Sequence, residues 1–267
     1  MIMAIHLRLL VMLIVLPPSE TKATGGTGAP LQLEELSFPT LTQVRAELLD
    51  DLLALSELPE DDQLTILGIS ANLAPELRHN AALLSAPTMP AIERFTGVLF
   101  DALGAADLKP AQRSRLAVGD ALFGLLGAED PIPHYRLSGG TKLPYAGEVP
   151  ASAPTMKRRW GKAITSALED VDQAIIDLRS GTYQQLGRVP RALTVRVETE
   201  HPETGARKVV SHFNKHYKGQ LARALAQTSA DLSTTATRAD LIELAQQLGF
   251  TAEPAAKDNE ITLVVSR

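Results

Sequence analysis

Cysteine is absent from the 267 residues of this sequence, and its absence excludes several classes of site. Disulfide-stapled scaffolds, zinc fingers, cysteine nucleophiles and cysteine-ligated iron–sulfur clusters all require the missing thiol. A reducing compartment fits this composition, although many secreted proteins also lack cysteine.

The sequence also lacks an internal repeat and a dividing linker rich in proline, glycine and serine. Its hydrophobic content of 45% and charged content of 21% are ordinary for a globular protein. That much apolar material suffices for one large core. We therefore predict a single domain over residues 12–267.

Positive charge is scarce in the first half of the chain. Residues 1–130 contain 8 Lys and Arg against 17 Asp and Glu, whereas residues 131–230 contain 15 against 8. The net charge of −5 argues against nonspecific coating of nucleic acid by the whole surface. A local positive face stays open if the basic residues of the second half meet in the fold.

An apolar run near the N-terminus, residues 9–16, permits two interpretations. A signal peptide is one, but the run has only eight residues and no A-x-A-like cleavage site follows it directly. A buried central strand is the other, since a continuous apolar run ended by Pro17 and Pro18 is typical of one. We predict the strand, with residues 1–11 as an upstream extension, and a cytoplasmic protein without membrane association.

Apolar periodicity predicts the remaining elements. Helices are predicted at residues 41–58, in two pieces over 60–84, and at 96–103, 110–117, 154–168, 215–226 and 239–248. Strands are predicted at residues 174–178 and 261–265, with a hairpin of 192–200 and 207–213. Strands interleaved with helices indicate an α/β (mixed α+β) fold, one compact domain with a mixed sheet covered by helices.

Several segments resemble one known family. The stretch LIVLPPSETKA at residues 13–23 is similar to the N-terminal signature of the YaaA peroxide-stress family. Further similar segments follow in the family's order: RFTGVLFDAL at 94–103, ALFGLLGAEDPIPHYRLSGG at 121–140, RWGKAIT at 159–165, IIDLRSGTY at 175–183 and VVSHFNKHYKGQLAR at 209–223. The Pro-Ser-Glu-Thr-Lys motif stands where other members have Ser-Pro-Ala-Lys-Thr, so the chain resembles a divergent branch.

The resemblance implies a cytosolic bacterial protein of the peroxide response, which limits damage from unincorporated iron and binds DNA. It implies a compact α/β body with a positively charged cleft and a helix-hairpin-helix element. It does not define a molecular activity, so the question of whether the chain is an enzyme stays open. No cofactor and no obligate protein partner are inferred.

The loop after the first strand carries the first set of candidate residues. Ser19, Glu20 and Lys22 would lie at the carboxyl end of a central strand, where α/β sheets bind ligands. The loop does not have the glycine and lysine order of a Walker loop. Together with Tyr135 these residues are the candidates for catalysis, with Glu20 as a possible general base.

A second set of candidate residues consists of cations and polar residues from later segments of the chain. They lie at predicted strand ends or loops and could complete one polar cleft with the first set. The predicted phosphate-binding residues are Lys22, Arg136, Arg179, Ser180, Asn214, Lys215, Lys218 and Arg223.

Two basic segments each have a less specific interpretation. Residues 207–223 contain five Lys and Arg and no acid, which suits phosphate, but a solvated strand edge followed by an amphipathic helix is equally compatible. In residues 157–162, Trp160 could stack on a base, and core packing is favoured instead.

Two further patterns are weak. The turn Leu67-Gly68-Ile69 resembles the hairpin of helix-hairpin-helix DNA binders, but acidic neighbours make a plain helix connection at least as good an interpretation. His212 and His216 stand four residues apart, yet they straddle a strand-to-helix junction without a third ligand nearby. We therefore predict no metal site.

Three functions are compatible with these patterns. The favoured one is a binding protein that holds DNA or another phosphate-rich ligand in a basic cleft, with salt-sensitive affinity. The alternative is an enzyme of undefined reaction on a nucleotide or nucleic-acid substrate in the same cleft. The third is a stress-related interaction protein without ligand chemistry.

Overall fold

The computed structural model describes residues 12–148, 152–201, 204, 206–209 and 214–266. The predicted extension over residues 1–11 lies outside these ranges, as does the start of the predicted first strand. Among the described residues, no helix has both the length and the apolar character that crossing a membrane requires.

The described ranges contain these α-helices: α1 (Thr42–Ser56), α2 (Glu60–Leu67), α3 (Leu77–Ala81), α4 (Ala91–Arg94), α5 (Val98–Leu103), α6 (Pro110–Arg113), α7 (Met156–Trp160), α8 (Ala163–Glu169), α9 (Gly181–Gln184), α10 (Asn214–Gln227) and α11 (Arg238–Gln247). Short 3₁₀ helices occupy Leu33–Glu35, Pro39–Leu41, Ala71–Glu76 and Ala105–Asp107.

The strands are β1 (Leu13–Leu16), β2 (Met89–Pro90), β3 (Leu116–Gly119), β4 (Leu125–Gly127), β5 (Pro131–Ile132), β6 (Ile175–Asp177), β7 (Leu193–Glu200), β8 (Arg207–Val209), β9 (Ala252–Pro254) and β10 (Glu260–Ser266). The main sheet has the order β4-β3-β1-β6-β7-β10-β9, and β8 pairs with β7. Strands β3, β1, β6, β7 and β10 run parallel, whereas β4, β8 and β9 pair antiparallel. The predicted single α/β domain with a mixed sheet and covering helices is confirmed.

Strand β1 lies in the interior of this sheet. Ile14 pairs with Leu116 of β3 on one side and with Ile176 of β6 on the other. Every residue of β1 is buried, which explains the uninterrupted apolar sequence, because a parallel strand covered on both faces has no solvent side. The predicted central strand is confirmed over its described part.

The carboxyl edge of the sheet follows from this topology. Because β1, β3 and β6 are parallel, the chain leaves all three strands at the same edge. Ser19 to Lys22 follow β1, Asp120 directly follows β3, and Arg179 follows β6. Helix α10 packs on β1 and β7 and against α5, so it brings residues from far along the chain to this region.

Three predicted elements differ from the structure. The predicted helix over residues 110–117 ends at Arg113, and the apolar residues after it form β3 because they pair with β1. The predicted helix over 154–168 is interrupted at Gly161, whose φ of 53° lies in the left-handed region. The helix predicted to begin at residue 96 begins at Val98, after Gly97 with φ 95°. The predicted hairpin is present as β7 and β8, and residues 210–213 lie outside the described ranges.

Trp160 is part of the core. Its side chain is 1% exposed, and its indole Nε1 donates a hydrogen bond to the backbone oxygen of Ala121 at 2.8 Å. The ring also lies against Gly124, where an added Cβ would come within 2.7 Å of it. The packing interpretation of this tryptophan is confirmed.

Candidate functional site

The loop after β1 is fixed by a short antiparallel contact with the chain before α5. Lys22 forms an isolated bridge with Phe95, and the backbone nitrogen of Thr96 donates to the oxygen of Thr21 at 3.2 Å. This contact places the segment Thr96-Gly97 beside Ser19. Two of the segments that resembled the family therefore form one edge.

Three hydroxyl groups meet at this edge. The Ser19 and Thr21 hydroxyls lie 3.1 Å apart, and the Thr96 hydroxyl donates to that of Thr21 at 3.1 Å. They border a cavity of about 260 Å³, which we call the hydroxyl cavity. Its lining also includes Glu20 and the exposed Lys215 of α10. Ser19, Glu20 and Lys215, all predicted from the sequence, are thus brought together.

Glu20 is held in a defined orientation. The Tyr183 hydroxyl donates to Glu20 Oε1 at 3.2 Å and accepts a hydrogen bond from the Gly139 nitrogen at 3.2 Å. Burial, followed by the negative charges of Glu20 and Asp120, raises the pKa of Tyr183 well above its usual value, so its hydroxyl is a neutral donor. Arg136 donates to the Glu20 backbone oxygen at 3.0 Å, and its Nη2 lies 3.2 Å from Glu20 Oε2. Glu20, Arg136 and Tyr183 form one cluster.

A larger cavity opens on the other side of Glu20. Its volume is about 540 Å³, and we call it the polar cavity. The lining residues are Glu20, Thr65, Ile66, Leu67, Gly68, Arg136, Ser138, Gly140, Thr141 and Lys142. The turn after α2, which resembled a helix-hairpin-helix turn, therefore lies in the wall beside Glu20. Within this turn the Gly68 nitrogen donates to the Leu64 and Thr65 oxygens and the Ile69 nitrogen donates to the Leu64 oxygen, which closes the end of α2.

Lys22 lies behind the loop in a half-buried position. Its Nζ donates to the Ser19 oxygen at 3.2 Å and lies 4.3 Å from the centroid of the Tyr135 ring. Burial lowers the pKa of Lys22 to about 8, and the charges of Asp120 and Glu20 oppose that shift only in part. An amine with this pKa has a neutral fraction near pH 7 that can accept a proton.

Tyr135 is fully buried and bonded to Asp120. Its hydroxyl donates to Asp120 Oδ2 at 2.5 Å, while Asp120 Oδ1 accepts from the Leu122 and Phe123 nitrogens at 2.8 and 2.9 Å. Burial, together with the Asp120 charge, raises the pKa of Tyr135 well above its usual value. In this arrangement the face of the Tyr135 ring lies against the Lys22 amine and positions it. Its predicted catalytic role stays a prediction.

Three of the predicted phosphate-binding cations are occupied by contacts within the protein. Arg179 is 2% exposed, and its guanidinium pairs with Asp177 at 2.8 Å. Lys218 is 8% exposed and donates to the Leu178 oxygen at 3.1 Å, and burial lowers its pKa to about 8. Arg223 donates to the oxygens at the end of α5 at 2.9 Å. These contacts fasten α10 and β6 in place, and a ligand-binding role for the three stays a prediction.

The remaining two predicted residues lie at helix starts. Ser180 is exposed and precedes α9, and Asn214 is the first residue of α10. Neither lines the hydroxyl cavity or the polar cavity. Their role in phosphate binding stays a prediction.

The structure contains a cluster of acidic and imidazole side chains that the sequence analysis missed. The potential ligand atoms of Glu76, His79 and His134 all lie within 4.8 Å of one another. His134 Nε2 is 2.9 Å from Glu76 Oε2, its Nδ1 is 3.3 Å from the Ala23 oxygen, and its ring stacks on that of His79 at 3.8 Å. The i, i+3 spacing of Glu76 and His79 could have revealed part of the cluster, but His134 comes from a distant segment.

The geometry of this cluster suits the hydrogen bond between His134 and Glu76 better than a metal ion. The two imidazole rings are inclined by only 18°, so their nitrogen lone pairs do not converge on one point. Burial alone would raise the pKa of Glu76, but the hydrogen bond and charge of His134 outweigh burial and lower it. Burial, aided by the charge of His134, lowers the pKa of His79. His212, of the pair rejected as metal ligands, lies outside the described residues.

Comparisons with known proteins give one consistent result. The family model described as "Peroxide stress protein YaaA" matches residues 12–255. A UPF0246 protein of Corynebacterium efficiens is 58% identical over 255 residues, covering 95% of this chain and 100% of the relative. A UPF0246 protein of Corynebacterium glutamicum is 57% identical over 256 residues, with 95% and 100% covered, and one of Streptomyces coelicolor is 39% identical over 255 residues, with 92% and 93% covered. The matched range of the family model includes every candidate residue from Ser19 to Arg223.

Proposed function

The chain belongs to the peroxide stress protein YaaA family, and from this premise we propose that it binds DNA or another phosphate-rich ligand across the carboxyl edge of its sheet. The observation that carries the proposal is the hydroxyl cavity, where Lys215 lies beside the Ser19, Thr21 and Thr96 hydroxyls. Hydroxyl groups and a lysine ammonium are typical partners of phosphate oxygens. The proposal includes a cytoplasmic role in limiting iron-driven damage during peroxide stress.

The polar cavity extends this surface. It adds Arg136 and the exposed Lys142, and it shares Glu20 with the hydroxyl cavity. Two neighbouring cavities that each contain a cation suit successive phosphates of one strand. The turn at Gly68 lies in the wall of the polar cavity, but its Gly68 and Ile69 nitrogens already cap α2, so it contributes shape to the surface and no free amide donors for phosphate.

The acidic groups of the region limit the affinity. Glu20 pairs with Arg136, and the whole chain carries a net charge of −5. Binding through few cations on an acidic protein is weak at physiological salt and rises steeply as salt is removed. Low ionic strength is therefore the condition for the first test.

The test is fluorescence anisotropy of a labelled DNA duplex at several salt concentrations. We expect Lys215→Glu to weaken binding and to reduce the slope of log affinity against log salt by about one unit, because one phosphate contact is lost. Lys162→Glu is the matched control, since Lys162 is also exposed but precedes α8, outside both cavities. Equal loss in both variants, or no binding by the wild type at low salt, would overturn the proposal.

A second candidate function is catalysis on a nucleotide or nucleic-acid substrate. The observation that favours it is Glu20, a carboxylate oriented by Tyr183 and Arg136 and exposed over 43% of its side chain between two cavities. Mass-spectrometric analysis of nucleotides and oligonucleotides incubated with the protein tests this function. A product formed by the wild type and lost in Glu20→Gln supports catalysis, whereas unchanged substrates throughout argue for binding alone.

A further inference from the structure

The three hydroxyls of the hydroxyl cavity leave one hydrogen-bond donor unused. The Thr96 hydroxyl donates to that of Thr21, and the Ser19 and Thr21 hydroxyls share one hydrogen bond at 3.1 Å. The Ser19 hydroxyl oxygen also accepts from the Thr21 nitrogen at 3.3 Å. Whichever of Ser19 and Thr21 donates in the shared bond, the hydroxyl proton of the other has no acceptor within the described ranges. The pair therefore presents one O–H donor, and a ligand atom that meets it must be an acceptor.

Glycine at position 97 keeps the space beside this pair open. Gly97 has a φ of 95°, and a Cβ added to it would lie 3.5 Å from the Thr21 hydroxyl oxygen and 3.6 Å from that of Ser19. An atom in this space is therefore close to both hydroxyls. Ser19, Thr21 and Gly97 all line the hydroxyl cavity and none of them is buried, so a ligand can reach this space.

The charges of the cavity favour an anionic acceptor. Lys215 is exposed in the lining, and its ammonium offers three N–H donors and no acceptor. The one acid of the lining, Glu20, is already engaged, since its Oε1 accepts from the Tyr183 hydroxyl and its Oε2 lies 3.2 Å from Arg136 Nη2. A hydroxyl donor and an ammonium in one cavity suit a phosphate oxygen.

The apolar part of the lining indicates which phosphate of a strand enters. The remaining lining residues are Pro17, Pro18, Val98, Leu99 and Phe100. The cations that could hold a second phosphate, Arg136 and Lys142, lie across Glu20 in the polar cavity. An internal phosphodiester continues in two directions, and one of them would bring the next charged phosphate against the apolar residues, where it is poorly solvated. A terminal phosphate continues in one direction only, towards the polar cavity.

We propose that the hydroxyl cavity binds the terminal phosphate of a nucleic-acid strand. A phosphate oxygen accepts the unused hydrogen bond of the Ser19 and Thr21 pair, Lys215 balances the charge, and the strand continues past Glu20 towards the polar cavity. This inference rests on the proposed function, because it names the part of the phosphate-rich ligand that occupies the hydroxyl cavity.

The experiment measures whether end phosphates strengthen duplex binding. Unlabelled duplexes of one sequence, with 5′-phosphates, with 3′-phosphates or with hydroxyl groups at all ends, compete at low salt with an internally labelled duplex in fluorescence anisotropy. We expect one of the two phosphorylated duplexes to bind about fivefold more tightly than the hydroxyl-ended duplex, from one additional hydrogen bond to a charged group. Equal affinity of the three duplexes overturns the inference and leaves the proposed function intact, whereas no binding by any of them overturns both.

Loss of the donor pair is the first variant. A single substitution would leave a hydroxyl with a free proton, so Ser19→Ala/Thr21→Val removes both, and we expect the preference for a terminal phosphate to fall below about twofold. The matched control is Ser233→Ala/Thr235→Val, since the Ser233 and Thr235 hydroxyls also lie 3.1 Å apart on exposed residues, outside both cavities. A preference that survives loss of the Ser19 and Thr21 hydroxyls contradicts the inference.

Gly97→Ala fills the open space and keeps every hydroxyl. We expect the same loss of preference, together with some loss of stability, because alanine is strained at a φ of 95°. Gly249→Ala is the matched control, since Gly249 has a φ of 89° and a Cβ added there meets no atom within 4 Å. Thermal unfolding should show a similar loss of stability in both variants, and only Gly97→Ala should lose the preference for a terminal phosphate. Loss of the preference in both variants, or in neither, would overturn the inference.

Discussion

Replacing Lys22 by methionine is expected to stabilise the protein at neutral pH. The pKa of Lys22 falls from its ordinary value of 10.5 to about 8, and at about 1.4 kcal/mol for each pKa unit the charged amine costs the folded state about 3 kcal/mol. Methionine has a similar length and no charge to desolvate. Loss of the hydrogen bond to the Ser19 oxygen offsets about 1 kcal/mol, so a net gain of about 2 kcal/mol is expected.

The sign of the pH dependence identifies the cause. Because the folded pKa of Lys22 is below its unfolded pKa, the unfolded chain binds the proton more tightly, and the penalty is fully present below pH 8. The penalty disappears as the pH rises towards 10.5, where both states are deprotonated. The advantage of Lys22→Met is therefore greatest at pH 7 and shrinks at high pH.

Urea unfolding followed by the fluorescence of Trp160 measures this difference, because that residue is the one tryptophan of the chain and is buried. At pH 7 we expect the midpoint to rise by about 1 M urea, and Lys162→Met to shift it by less than about 0.3 M. A destabilised Lys22→Met variant, or a gain that does not change between pH 7 and 10.5, would show that the buried charge of Lys22 does not lower the stability of the folded state.

Three other perturbations have defined outcomes. The lowered pKa values of His79 and Glu76 mean that the unfolded chain takes up protons first, so the free energy of unfolding measured with urea decreases as the pH falls below the ordinary pKa of 6.5 for His79 and decreases further below the ordinary pKa of 4.5 for Glu76, and His79→Gln removes the first of these decreases. Arg179→Met leaves the charge of Asp177 buried without its partner and destabilises the protein by about 3–5 kcal/mol in urea unfolding, whereas a loss below about 1 kcal/mol would contradict that role. Gly219→Ala places a Cβ 2.3 Å from a backbone oxygen of α5 and lowers the stability by about 1–3 kcal/mol, and an unchanged midpoint would show that α10 and α5 are packed less closely than described.

Local patterns in the sequence were sufficient for some elements of the fold and insufficient for others. Strand β1 was predictable because an apolar run followed by two prolines has few other interpretations. Strand β3 was missed because the helix signal at Pro110 continues into four apolar residues. Their strand conformation depends on pairing with Ile14, about a hundred positions earlier. Pairing between residues so far apart in the chain produces no local pattern in the sequence.

The candidate site divides in the same way. The sequence places Ser19 to Lys22 at the carboxyl edge because these residues directly follow the predicted strand. They were candidates for a site because α/β sheets bind ligands at that edge. The contacts of Glu20 with Arg136 and Tyr183 join residues 116 and 163 positions apart, which the sequence could not reveal. The burial of Arg179 had a local signal, since Asp177 stands two residues before it, but only the topology shows that both side chains lie inside.

Hydrogen–deuterium exchange with and without a DNA duplex at low salt shows whether nucleic acid lies across the carboxyl edge of the sheet. On that placement we expect slower exchange in peptides that cover residues 19–22, 95–97 and 136–142. Protection confined to the basic segment at residues 157–162, with the exchange of these three peptides unchanged, would exclude the placement.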